Sequence, residues 1–160
     1  MLLRKSSRRG GGNMIRYGLL QHVTDADVVD IGILVETLSP GTRKPTHGEV
    51  RRIVEAHQVI IARDITVERE PIIGMATLVI IPQMIGLRGR VEDVSRHPDY
   101  RGRGIGQGLM KKLHDVARQH AIDKLALTCQ PYRKEGNHLY PKMGYKTVET
   151  NVYRIDLSIL

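Results

Sequence analysis

The chain contains neither phenylalanine nor tryptophan, and six tyrosines make up its aromatic content. A core without those two residues must be built from Leu, Ile, Val and Met. Basic runs without flanking aromatics also lack the stacking surfaces that single-stranded nucleic acid uses. Cysteine occurs once, as Cys129, which excludes an intrachain disulfide and fits a reducing, cytoplasmic compartment. No apolar run reaches the roughly 18 residues of a membrane-spanning helix. Acidic residues are missing from "MLLRKSSRRGGGN" (1–13), which holds Arg4, Lys5, Arg8 and Arg9. That stretch supplies half of the formal charge of +8, leaving 21 basic against 17 acidic residues elsewhere. Its Ser, Gly and charge content predicts a disordered basic tail (1–13) ahead of a folded domain (14–160), and it has no apolar core of a signal peptide.

What is present reads as one compact domain, with 41% hydrophobic and 26% charged residues in 160. "MIRYGLLQHV" (14–23) reads as a first strand, and Thr24 and Asp25 as capping candidates for a helix through "DVVDIGILVETL". Thr46 and Glu49 have the spacing of a capping box, which predicts a second helix through "EVRRIVEA". "QVIIARD" and "IIGMATLVII" are expected to form an antiparallel pair. "GRVEDVSR" (89–96) and "KLALTC" (124–129) are expected to lie parallel, joined through a helix that shows Leu109, Met110, Leu113, Val116 and Ala117 on one face. "KEGNHLY" offers a short helix ending near Leu139, because Pro141 disfavours helical backbone at Tyr140, and "TNVYRIDL" (150–157) offers a last strand.

"YRGRGIGQGL" (100–109) sets Gly102, Gly104, Gly106 and Gly108, with Arg101 and Arg103, directly before the long helix. Glycine lets a ligand approach backbone N–H groups, and a helix start carries about half a positive charge. The N–H groups of Gly102, Arg103, Gly104, Ile105, Gly106 and Gln107 can therefore converge on a diphosphate, with Arg101 or Arg103 adding charge. Two other phosphate motifs fail. GxGxxG finds Gln107 or Leu109 where its last glycine belongs, and GxxxxGK[ST] does not occur. The seven histidines show no HExxH or comparable ligand spacing, so no metal site is expected.

The order R-x-x-G-x-G over residues 101–106, at a strand-to-helix junction, resembles the central motif of the GNAT superfamily of N-acetyltransferases. "VEDVSRHPDYRGRGIGQGLMKKL" (91–113), "LTCQPYRKEGNHLYPKMGY" (127–145) and "TNVYR" (150–154) resemble a bacterial subfamily in the same order, and "LSPGTRKPTHGEV" (38–50) resembles its linker between the first two helices. The resemblance implies a single α/β domain with a mixed, mostly antiparallel sheet of about six to seven strands, a central splayed parallel pair and about four flanking helices. It also implies acetyl-CoA as cosubstrate and a primary amine as acceptor. Pantetheine would lie in the splay and bond to the backbone of Val94, Ser95 and Arg96, the last a departure from the family's usual apolar residue. Tyr140, four residues before the pair Gly144-Tyr145, takes the place of the family's tyrosine beside the thioester sulfur and would protonate the expelled thiolate. Arg133 stands where many relatives have a coenzyme-contacting asparagine, and Asn137 is the substitute candidate.

An attacking amine must lose a proton, so a carboxylate or water chain is needed near it. Glu92 and Asp93 are adjacent, and the strand period of two sends them to opposite faces unless a bulge intervenes; Glu92 is the candidate proton acceptor. Cys129 reads as a small core residue on an apolar strand rather than a nucleophile. Two rival readings stay open. One is an acyl-CoA-binding module without catalysis, motivated by Arg96 and Pro141; the other is a nucleic-acid binder that uses the basic tail and "RGRG". The acceptor would be read by the first helix, the linker 39–48 and the chain near Tyr153, and its identity stays open. The resemblance is also compatible with a homodimer formed through sheet edges or terminal strands.

Overall fold

The computed structural model describes residues 14–159, so the expected basic tail lies outside the described residues. Residues up to Thr128 form one compact unit and those from Cys129 onward a second.

In the first unit, five strands lie in sequence order in one sheet: β1 (Ile15–Leu19), β2 (Gln58–Asp64), β3 (Ile72–Gln83), β4 (Gly86–Arg96) and β5 (Leu125–Ala126). The first four pair antiparallel, and β4 and β5 pair parallel through Gly89↔Leu125 and Arg90↔Ala126. Five strands among the described residues is fewer than expected. One reason is "TNVYRIDL", which joins no ladder and ends in a 3₁₀ turn at Leu157–Ile159. There Asp156 Oδ1 accepts bonds from the Ser158 N–H (2.9 Å) and hydroxyl (2.6 Å), a local turn that competes with extended pairing. β5 is also shorter than "KLALTC" and stops before Cys129, which is half-buried and outside any strand.

Both capping predictions hold. Helix α1 (Asp25–Leu38) starts at Thr24, boxed with Asp27, and α2 (His47–Ala56) starts at Thr46, boxed with Glu49. Arg43 completes the second cap, and its bidentate pairing holds the Glu49 carboxyl down to about 2. Val59, Ile61, Ile72 and Met75 of the sheet pack with Ile31 and Leu34 of α1 and Val50 of α2 in one apolar cluster. Helix α3 (Ile105–Gln119) buries Leu109, Met110, Leu113, Val116 and Ala117, the face predicted from their spacing, and Ile105 with them. Gly74 on β3 makes room for it, since a side chain there would strike Ile105 and Leu109. Even-numbered Gly74 thus faces α3, while Met75 faces α1 and α2.

Two buried carboxylates fasten α1 to the β2–β3 hairpin. Asp27 accepts from Arg63 at 2.7 Å, and Asp30 is held by both guanidinium N–H groups of Arg69 (2.9 and 3.0 Å) while accepting the Ile72 N–H at 2.9 Å. Asp30→Ala strands that buried N–H, so it should destabilise the fold by about 1–3 kcal/mol in a denaturant melt. Arg51→Ala, which breaks an exposed pair with Glu55, should cost about 1 kcal/mol or less.

Candidate active site

The glycine loop enters α3 differently from the way the chain enters α1 and α2. Gly104 is the N-cap, with φ of 72°, and supplies no side-chain cap to the first turn. Gly102 has the same φ of 72°. A side chain would be strained at both positions, and open space surrounds them. The two left-handed glycines and the uncapped turn leave main-chain donors at the positive end of a helix dipole, a suitable seat for phosphate oxygens. Ile105 is buried beneath the loop and Gln107 is exposed.

Arg103 is aimed by its neighbours. Its guanidinium lies 4.7 Å from the centre of the Tyr100 ring, and the Tyr100 hydroxyl donates to Asp64 Oδ2 at 2.7 Å. The Tyr100 phenol is pushed up by that bond, while Thr66 and Tyr100 hold the Asp64 carboxyl below its usual range. Arg101 is exposed after the short 3₁₀ turn Pro98–Tyr100. Gly108 has another use: a Cβ there would collide with the Tyr17 ring, so this glycine admits β1 against α3.

Along β4 the parallel partner ends at Arg90, which leaves the edge from Val91 to Arg96 without a ladder on the β5 side. His97 N–H bonds to the Ile73 carbonyl of β3 at 2.8 Å. Alternation from that bond turns the N–H groups of Arg96 and Val94 toward the open edge and that of Ser95 toward β3. The Ser95 hydroxyl is spent on the Leu34 carbonyl of α1 at 2.8 Å. Arg96 stands opposite Gly74, on the α3 face.

The bulge that would change the placement of the two carboxylates is present. The β3–β4 register shifts between Met75 and Thr77, and Asp93 sits there with φ of 55°. Glu92 stands directly opposite Thr77, and Asp93 Oδ2 accepts from the Thr77 hydroxyl at 3.1 Å, so both carboxylates share the face that carries α1 and α2. Their surroundings differ. Glu92 is ion-paired with Arg90. Asp93 is an exposed residue whose carboxyl is nonetheless crowded enough that lost hydration raises its pKa, with the Glu92 charge adding and the Thr77 bond and nearby His57 opposing. Thr77 and His57 carried no motif that would have singled them out.

The second unit holds Tyr140 on helix α4 (Lys134–Lys142). The helix does not stop near Leu139: it passes through Tyr140 and Pro141, closed by Met143 N–H bonds to the Leu139 and Tyr140 carbonyls and by Gly144 at φ of 90°. Pro141 has no N–H to give the Asn137 carbonyl, and the last turn is held instead by the Met143 N–H bonds and by the Gly144 N–H to the Pro141 carbonyl. The Tyr140 ring meets that of Tyr145 edge-on at 5.8 Å, and burial pushes the Tyr140 phenol up, with Cys129 adding. Burial likewise pushes Tyr145 up to about 12. Asn137 spends its amide N–H groups on the carbonyls of Gln130 (2.8 Å) and Arg133 (3.0 Å), leaving Oδ1 as its available polar atom.

The sequence profile of the Acetyltransferase (GNAT) family matches residues 36–145. An amino-acid acetyltransferase of Yersinia enterocolitica is 30% identical over 151 residues, 93% of this chain and 32% of that protein. The chain therefore spans about a third of the length of such relatives. A glucosamine 6-phosphate N-acetyltransferase of Trypanosoma brucei brucei is 34% identical over 89 residues, 54% of this chain and 58% of that protein. Among solved structures, a Trypanosoma brucei acetyltransferase superimposes with a TM-score of 0.72 at 23% identity, covering 90% of this chain and all (100%) of that one.

Proposed function

The chain belongs to the GNAT acetyltransferase family, and from that membership we propose that it moves an acetyl group from acetyl-CoA directly to a primary amine within a ternary complex. The observation that carries the reading is the uncapped start of α3 behind two left-handed glycines, a seat for the coenzyme's diphosphate. Arg101 and Arg103 supply charge, and Arg96 joins them from the neighbouring strand. With the diphosphate so held, the thioester runs along the open edge of β4, where the Val94 N–H stabilises the oxyanion that develops on the carbonyl.

The amine gives up its proton to the carboxylate pair Glu92 and Asp93. Asp93 suits that role better, because its carboxyl is raised above the ordinary aspartate value and Glu92 is engaged by Arg90. Attack forms the new C–N bond, and collapse breaks the C–S bond. Tyr140, protonated at working pH because its pKa is raised, gives a proton to the departing thiolate. Asn137 contributes Oδ1 to the coenzyme. No covalent acetyl-enzyme is involved, so Cys129 is a bystander.

The relatives' names speak of an amino acid and of an amino-sugar phosphate, both amines. Release of free coenzyme A from acetyl-CoA, followed across a panel of amines, tests the reading. Amine-dependent release with intersecting initial-rate patterns is expected. Ping-pong patterns with an isolable acetyl-enzyme would contradict direct transfer. Firm coenzyme binding without acetyl release on any amine would establish a non-catalytic binding module instead.

A further inference from the structure

On β4 the register sets Arg88 opposite Ile81, Arg90 opposite Val79 and Glu92 opposite Thr77. Directly opposed residues share a face, and Thr77 is itself opposite Val59, a member of the cluster beneath α1 and α2. Three charged side chains at every second position therefore stand in one row, and the bulge adds Asp93 at its end. The row reads cation, cation, carboxylate, carboxylate. Beyond the carboxylates the Ser95 hydroxyl ties the strand to α1, while burial falls off along the β3–β4 hairpin until Gln83 and Gly86 are exposed. Arg88, Arg90 and Glu92 are each half-buried, so the row keeps some access to solvent.

The two guanidiniums are not equally engaged. Arg90 holds Glu92, and its other end lies 3.4 Å from the Thr128 hydroxyl. Arg88 is half-buried and makes no ion pair among the described residues. A half-buried arginine without a carboxylate, next to a second arginine and in line with a proton acceptor, has the makings of an anion site.

We infer that the acceptor is an amine bearing an anionic group, carboxylate or phosphate, which Arg88 and Arg90 hold while the amine lies at Asp93. This rests on the acetyl-transfer reading above. A strand rises about 3.3 Å per residue, which sets Arg90 about 10 Å and Arg88 about 16 Å along β4 from Asp93, a span that the long arginine side chains shorten from their end. A neutral amine leaves Arg88 unanswered, and a polycation meets the two guanidiniums as like charges, a mismatch that disfavours its binding.

The experiment compares kcat/KM for matched acceptors on wild type and Arg88→Glu. Dicarboxylic amino acids against their side-chain amides form the carboxylate arm, and glucosamine 6-phosphate against glucosamine forms the phosphate arm. Spermidine forms the cationic arm. In wild type the anionic member of at least one pair should exceed its neutral partner by about tenfold or more, and the better arm identifies the anion. In Arg88→Glu that preference should fall by a similar factor, mainly through KM, and spermidine should gain. Arg88→Gln, which keeps length and loses charge, should lie between, and circular dichroism of both variants should match wild type. Turnover of neutral or cationic amines at least equal to that of the anionic ones would overturn the inference while leaving acetyl transfer standing. So would a preference that survives Arg88→Glu. Absence of turnover in every arm, by protein that still binds the coenzyme, would instead bring down the catalytic reading and this inference with it.

Discussion

Tyr140→Phe should lower kcat by about 10²–10⁴-fold, the usual scale for loss of a positioned general acid, with little change in coenzyme affinity. The proton goes to a thiolate leaving group, so the penalty should shrink when the acyl donor carries a more acidic thiol that departs without help. A packing role for the ring would not give that dependence. Burial raises the phenol above its ordinary value of about 10, so the donor stays protonated across neutral pH and the alkaline fall in wild-type kcat lies above that value. Equal losses with ordinary and acidic thioesters would count against the acid role, and full retention of kcat would end it.

Asp93→Asn is expected to cost a similar 10²–10⁴-fold in kcat and to remove its acid limb. The sign follows from the direction of the shift. A base works when deprotonated, so the rate rises with pH through its pKa; a raised carboxyl moves that rise above the ordinary aspartate value near ~3.9. Thr77→Val removes the hydrogen bond that holds this pKa down, and should carry the limb further up while preserving the plateau. Glu92→Gln should keep the limb but move it to lower pH, because the Glu92 charge that helps raise the Asp93 carboxyl is gone. If Glu92→Gln abolished it and Asp93→Asn did not, Glu92 would be the proton acceptor after all.

Local features of the fold were legible because local chemistry decides them. A capping box is a reciprocal bond between residues three apart, visible in the sequence as Thr46 with Glu49; at α1 the cap Thr24 was legible and its partner Asp27 was not singled out. The buried face of α3 follows from a period that aliphatic residues mark plainly. The glycine loop was legible for the same reason, since Gly102 and Gly104 adopt backbone angles that few other residues tolerate.

What escaped depends on distant partners. The bulge at Asp93 is a property of register between β3 and β4, and nothing in "VEDVSR" announces it; its effect is to bring Glu92 and Asp93 to one face rather than two. Gly108 looked like a fourth member of the phosphate loop, but it is small because Tyr17, some ninety residues earlier in the chain, needs the space. Pro141 was read by a rule about isolated backbone preference, which the capping bonds around Met143 and Gly144 outweigh. Alternation in "TNVYRIDL" shows that the segment can pair, while the turn at Asp156 draws its end out of extended form.

The coenzyme seat can be probed by calorimetric titration of the folded protein with coenzyme A, beside the same titration with pantetheine, which lacks the diphosphate, and with Gly104→Val protein. Main-chain amides that grip the diphosphate predict saturable heat with coenzyme A. They also predict affinity at least about tenfold weaker for pantetheine and for the variant, since each hydrogen bond to a charged group is worth roughly 1.5–3 kcal/mol. No heat with coenzyme A, or equal affinity for the ligand without its diphosphate, would contradict it.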